Sequence, residues 1–267
     1  MTKLNISNAI IADAIQQDLF NQLNKVELVW LNDAIKLLID TEDKINNLLD
    51  LSVVVKRTFT SSVYLNDTLF SAYSTSEIIR VLLIKAALNG LSSPEQAQLL
   101  KQYYRSADEL EKIAWLKGLS YFDEFGVAVN TAMSASRCNS INEFSALAIN
   151  NDYAAKHFPE LNFNQLVLKS LFSGLDIGCM SNLPSRLNVK LTNMCFSFAV
   201  EQALAFRIPP ASIWLAVIPE DLDDENTPLL SQYLTYFFQQ DDQHKKQIMW
   251  FVEHHQLTNK IIPQINN

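Results

Sequence analysis

The first glycine of this chain is Gly90. Only Gly118, Gly126, Gly174 and Gly178 follow it, beside eight prolines, so the two residue types make up 13 of 267 positions, about 5% against roughly 12% in an average soluble protein. Sandwiches and barrels need a turn residue about every 8 to 12 positions, and 89 residues pass here before one glycine appears. The five glycines also allow no G-x-G-x-x-G turn, no G-x-x-x-x-G-K-[ST] loop and no G-x-S-x-G elbow. Dinucleotide folds, phosphate-loop enzymes and α/β-hydrolases are therefore excluded, and the chain is predicted to be all-α.

Apolar spacing supports this. Ser7 can cap a helix carrying Ile10, Ile11, Ala14, Ile15, Leu19 and Leu23, followed by helices near 26–39 and from Thr41 toward Val55. Residues 57–72 are rich in β-branched and hydroxyl side chains and read as a long loop. Thr75 or Ser76 opens the next helix, and Ser93-Pro94 reads as a cap with proline in the first turn. Ser106 with Glu109, and Ser140 with Glu143, fit the capping box. Pro209-Pro210 and Thr227-Pro228 mark later starts, and a last helix spans 242–257. Gly90, Gly118 and Gly174 each stand before a leucine at the end of an apolar run, as in a Schellman stop. Their spacings of 28 and 56 suggest a repeat, with Asn150 or Asn151 closing the missing unit. The expected architecture is one domain over 1–267, a HEAT-like α-solenoid of short antiparallel helices ending in a helical extension over 241–267.

Composition narrows the function classes. With 48% hydrophobic and 19% charged residues the chain can fill a core, and 29 acidic against 21 basic residues disfavour binding to nucleic acid. Cys138, Cys179 and Cys195 form no C-x-x-C and suggest reduced thiols. The polar N-terminus and the short apolar runs suggest neither a signal peptide nor a membrane span, so a cytoplasmic location is expected.

No metal site is expected from the histidines. His244 and His255 are eleven positions apart, about 16 Å along a helix, and Glu253-His254-His255 reads as a solvated helix end. The run from Asp221 fails as a calcium loop, with Asn226 and Gln232 where glycine and glutamate belong. The helix over 162–173 is apolar on most sides (Phe163, Leu166, Val167, Leu168, Leu171 and Phe172), which predicts a central position and partly buried Asn164, Gln165 and Lys169. Lys169 either acts as a base or nucleophile, or else reaches out to solvent or pairs with a carboxylate such as Asp152 or Glu160. Arg80, in an apolar run, either lines an internal polar site or reaches Glu77. Arg137 and Asn139 can tie down the loop before Ser140.

The pattern Arg137-x-Asn139, Phe144, Ala148, Asn151-x-Tyr153, His157-Phe158 and Asn164-Gln165-Leu166-Val167-Leu168-Lys169-Ser170-Leu171-Phe172 resembles the EboA-domain family over about residues 10–235. The family's Asn-Pro-Tyr-Pro turn reads Asn151-Asp152-Tyr153-Ala154 here, without either proline. The resemblance implies an all-helical, soluble protein from a bacterial cluster that also encodes a prenyltransferase-like membrane protein and TIM-barrel enzymes, linked to making or exporting a secondary-metabolite precursor. It supplies no catalytic residue.

A non-catalytic protein that binds partner proteins of that cluster or a small metabolite is therefore expected, without a cofactor. Arg80, Arg137, Asn139, Tyr153, His157, Asn164, Gln165 and Lys169 are its candidate binding residues. The alternative is a pathway enzyme using Lys169 or His157 for acid/base chemistry.

Overall fold

A computed structural model of the chain describes residues 13–65, Phe70 and 73–257; the proposed Ser7 cap and Ile10 and Ile11 lie outside them. Every regular element among the described residues is helical. The chain divides into two compact units after Leu147.

The first unit contains α1 (Asp13–Gln22), α2 (Lys25–Asp40), α3 (Lys44–Thr58), α4 (Thr75–Ala87), α5 (Ser93–Ser106), α6 (Glu109–Phe122), α7 (Val129–Ala135) and nearly all of α8 (Ile141–Ala148). Its axis is α4, which packs against α2, α3 and α6. Every residue from Ile78 to Ile84 is buried, the pattern of a helix surrounded by others. Of the loop predicted over 57–72, Arg57 and Thr58 instead end α3 and residues 59–65 are irregular, while 66–69, 71 and 72 lie outside the described residues.

Capping boxes begin four of these helices: Asn24 with Glu27, Ser74 with Glu77, Ser92 with Glu95 and Asp108 with Glu111. Two caps lie just upstream of the predicted ones. The caps are Ser74 instead of Thr75 or Ser76, and Ser92 instead of Ser93, because Glu77 and Glu95 reach back three residues to the amides of Ser74 and Ser92. Ser106 is not a cap. It ends α5, and Asp108 takes the role by accepting from the Glu111 amide at 2.8 Å. Ser140 caps as predicted, accepting from the Glu143 amide at 3.3 Å.

The glycine pattern needs two corrections. Gly90 and Gly174 are left-handed, with φ of 76° and 77°, but after Gly90 the Leu91 amide donates to the Leu88 carbonyl at 3.2 Å, a tight turn in place of the Schellman closure, and Gly118 lies inside α6. A β-carbon there would stand 2.5 Å from Cγ2 of Val81 on α4, so this glycine marks a close approach of two helices and not a stop. The 28-residue spacing therefore loses its middle member, while Asn150 is left-handed at φ 52° after α8.

The second unit holds α9 (Tyr153–His157), α10 (Glu160–Phe172), α11 (Val189–Leu204), α12 (Leu230–Phe238) and α13 (Asp242–His254). The Pro209-Pro210 start opens a 3-10 turn alone, Ala211–Ala216, whereas the turn opened at Thr227-Pro228, Thr227–Leu229, leads directly into α12. Trp214 of the first turn is fully buried against Phe237 and Phe251. The α13 residues Ile248, Phe251 and Val252 are buried too, so the C-terminal helix completes this core. The predicted central helix, α10, is amphipathic instead. Leu161, Gln165 and Phe172 are exposed, and the helix buried all round is α4.

Candidate functional site

Of the eight sequence-derived candidates, Arg80, Arg137 and Asn139 belong to the first unit and Tyr153, His157, Asn164, Gln165 and Lys169 to the second. Arg80 is 3% exposed and donates from Nε and Nη2 to the Ser52 carbonyl at 3.4 and 3.3 Å. The alternative Glu77 partner is engaged elsewhere, by Lys117 at 2.8 Å and by Ser74. Beside Arg80, Ser52 Oγ and the Tyr103 hydroxyl share a 2.6 Å hydrogen bond. Burial pushes the Tyr103 phenol well above its ordinary value although Ser52 opposes it. Arg137 is exposed in the turn between α7 and α8.

In the second unit Asn164 is buried and exchanges two amide hydrogen bonds with Asn188, at 3.1 and 3.0 Å. Asn188 also caps α11 through the Leu191 amide, so Asn164 helps to fix a helix start. Tyr153 is buried with its ring 4.6 Å from that of the half-buried His157. Where the family turn has prolines, the Tyr153 amide donates to Asn151 Oδ1 at 3.0 Å, an Asx turn that fixes the chain without them. Gln165 is exposed, contrary to the buried position expected of it, because it faces away from the packed side of α10. Lys169 is half-buried. Asp152 pairs with Lys156 at 2.6 Å and Glu160 lies 3.8 Å from Lys190.

Asn139 alone of the eight lines a groove of the first unit on which several polar groups converge. This space of about 560 Å³ lies among α5, α6, α7 and α8. Lys101 and Arg105, one turn apart on α5, line it together with Lys112 of α6, and Glu143 of α8 is its carboxylate. The Tyr104 hydroxyl donates to Glu143 Oε2 at 3.0 Å, and Lys112 Nζ sits 5.6 Å from the Tyr104 ring centre. Burial first, then the charge of Glu143 and this hydrogen bond, hold Tyr104 well above the ordinary phenol range. It is a neutral donor at physiological pH. Behind it, 4.9 Å between ring centres, stands the buried Trp115, whose indole N–H has no hydrogen-bond partner.

The sequence reading missed this groove. Glu143 drew notice only as half of a capping box, whereas its carboxylate turns to Tyr104. The available signal was the i,i+4 pair of cations on α5 flanking a tyrosine, a spacing that puts Lys101 and Arg105 on one strip.

A second space, of about 910 Å³, lies within the second unit beside His244, Asp241, Lys246 and Cys179. Its histidine is fully committed. Nδ1 accepts from Trp214 Nε1 at 3.2 Å, which leaves Nε2 to donate to the Pro209 carbonyl at 2.9 Å. The ring stacks on Phe237 at 4.9 Å, so His244 is a core bracket with no ring nitrogen left for a ligand.

Among the described residues no three His, Cys, Asp or Glu side chains gather as a metal ion would require. No described helix is long and apolar enough to cross a membrane. No curated protein and no solved structure matches the chain. A family model described as "Metabolite traffic protein EboA" matches residues 11–218, and with more than half of its length so matched the chain belongs to the EboA family.

Proposed function

We propose that this EboA-family protein is a non-catalytic binding protein for a small metabolite in a secondary-metabolite pathway, with the groove of the first unit as its site. One observation carries the reading. Three cations, a buried carboxylate and several amide and hydroxyl groups surround a space of about 560 Å³, within the roughly 300–1,000 Å³ typical of small-molecule sites. The family's description as a metabolite traffic protein supports it. The groove's groups are suited to holding a molecule, since Tyr104 is kept as a neutral phenol and Glu143 is already hydrogen-bonded to it. Asn139 contacts the ligand in this reading, while Arg80 and Asn164 brace the helices through Ser52 and Asn188. A HEAT-like stack of short helices in the cytoplasm then offers its outer faces to other proteins of the same biosynthetic cluster, which receive the metabolite.

The test is to purify the tagged chain from cells expressing the whole cluster and weigh its small-molecule extract by mass spectrometry. A discrete metabolite should accompany the wild-type chain and be lost from a folded Tyr104→Ala variant. Recovery of the same metabolite from that variant would remove the groove from consideration.

A further inference from the structure

We propose that this groove takes a small organic anion that also carries an amino or hydroxyl group. The inference rests on the groove being the metabolite site and adds the chemical class of its ligand.

The charge pattern comes first. The chain has a formal charge of −8, yet three of the groove's side chains are cations and one is a carboxylate. Lys101 and Arg105 repel each other at i,i+4, and Lys112 brings a third positive charge from α6. None of the three forms an ion pair with a described carboxylate. Their local surplus is what an anionic head group neutralises, and Arg105 adds the forked geometry that suits a carboxylate or phosphate.

Glu143 then restricts the class. It is 9% exposed, so a groove made only to attract anions would gain by placing a neutral residue there. Tyr104 occupies its Oε2, and an ionised carboxylate has further acceptor capacity on Oε1. A ligand bearing only carboxylates would leave that capacity unmatched beside its own negative charge. One that also bears an ammonium or hydroxyl group turns the same oxygen into a contact.

Three dicarboxylates that differ at one carbon test this: succinate, malate with a hydroxyl, and aspartate with an ammonium. Each is titrated calorimetrically into the full chain at low salt. Malate and aspartate should bind about tenfold more tightly than succinate, the effect of one hydrogen bond to a charged group. Added salt should weaken all three, because the rim cations Lys101 and Arg105 are exposed. A Lys101→Gln/Arg105→Gln double variant, changed only at exposed positions, should lose all three. Glu143→Gln should abolish the advantage of aspartate over succinate. Equal affinities in the wild-type chain, unchanged binding in the double variant, or no binding of any probe at millimolar concentration would overturn the proposal. A neutral or cationic metabolite that accompanies the wild-type chain and is lost in Tyr104→Ala would also overturn it, while leaving the metabolite-binding reading intact. Retention of the metabolite by Tyr104→Ala would sink that reading itself.

Discussion

Glu27 is 1% exposed, although it stands in the first turn of α2. Burial alone would push its carboxyl up, yet hydrogen bonds from the Ser61 side chain and from the amides of Ser61, Asn24 and Thr60 hold it below the ordinary value. It therefore both caps α2 and ties down the irregular stretch after α3, a role that its i+3 spacing from Asn24 half discloses and that its contact with Thr60, 33 positions away, does not. His255 shows the opposite balance. Burial lowers its imidazole below the ordinary value, His254 adds to the effect, and Glu220 at 4.0 Å opposes it. With the folded value below the unfolded one, its contribution to stability is complete above the unfolded pKa of about 6.5 and is lost as the pH falls through the folded value. Between about pH 7 and pH 5 the melting temperature of the wild-type chain should fall more steeply than that of His255→Asn, as followed by circular dichroism. Of the helix end Glu253-His254-His255, which the sequence predicts to be solvated, Glu253 and His254 are exposed, whereas the His255 side chain is only 14% exposed and packs on Phe251.

At the level of helices, the all-α class was legible because apolar spacing and caps are local signals. Helix stops were harder to read, since glycine is only one residue that can occupy the left-handed position. Leu175 donates to the Ser170 carbonyl, Arg207 to Gln202 and Leu257 to Val252, at 2.9, 2.8 and 2.9 Å. These are three Schellman closures, whose left-handed residues are Gly174, Phe206 and Gln256. Phe206, at φ 57° and 90% exposed, holds a conformation that an aromatic residue adopts at a cost of about 1–2 kcal/mol, and no sequence rule would have placed it there. Gly118 errs in the other direction. In an ordinary helix interior Gly→Ala stabilises by about 1 kcal/mol, but here the new methyl meets Val81 and Phe122, the nearest atom 2.5 Å away. Gly118→Ala should instead destabilise by about 1–3 kcal/mol in urea unfolding, the usual effect of overpacking. Adding Val81→Ala should recover part of that loss in a double-mutant cycle.

Across the whole molecule, the family block was legible and the groove was not. The block lies within one stretch of chain, Arg137 to Phe172, of which Asn164 and Tyr153 are core side chains, Tyr153 fixed by the adjacent Asn151 and Asn164 by Asn188, 24 positions on. The groove assembles charged residues from three helices between Lys101 and Glu143 and polar ones from a fourth, α7, and no one of these stretches stands out by itself in the sequence. The family match stops at 218, yet Phe237 and Phe251 beyond it complete the second unit's core. That distribution of aromatics has an optical consequence. Of the four tryptophans, Trp115 and Trp214 are fully buried, one in each unit, whereas Trp250 is 41% exposed. Against a Trp30→Phe/Trp250→Phe background, deleting either remaining indole leaves one fluorophore that emits from a single core. Each core should then report its own melting by the red shift of its emission. Coincident transitions are expected if the chain unfolds as one domain, and two separate ones would show that each half melts by itself.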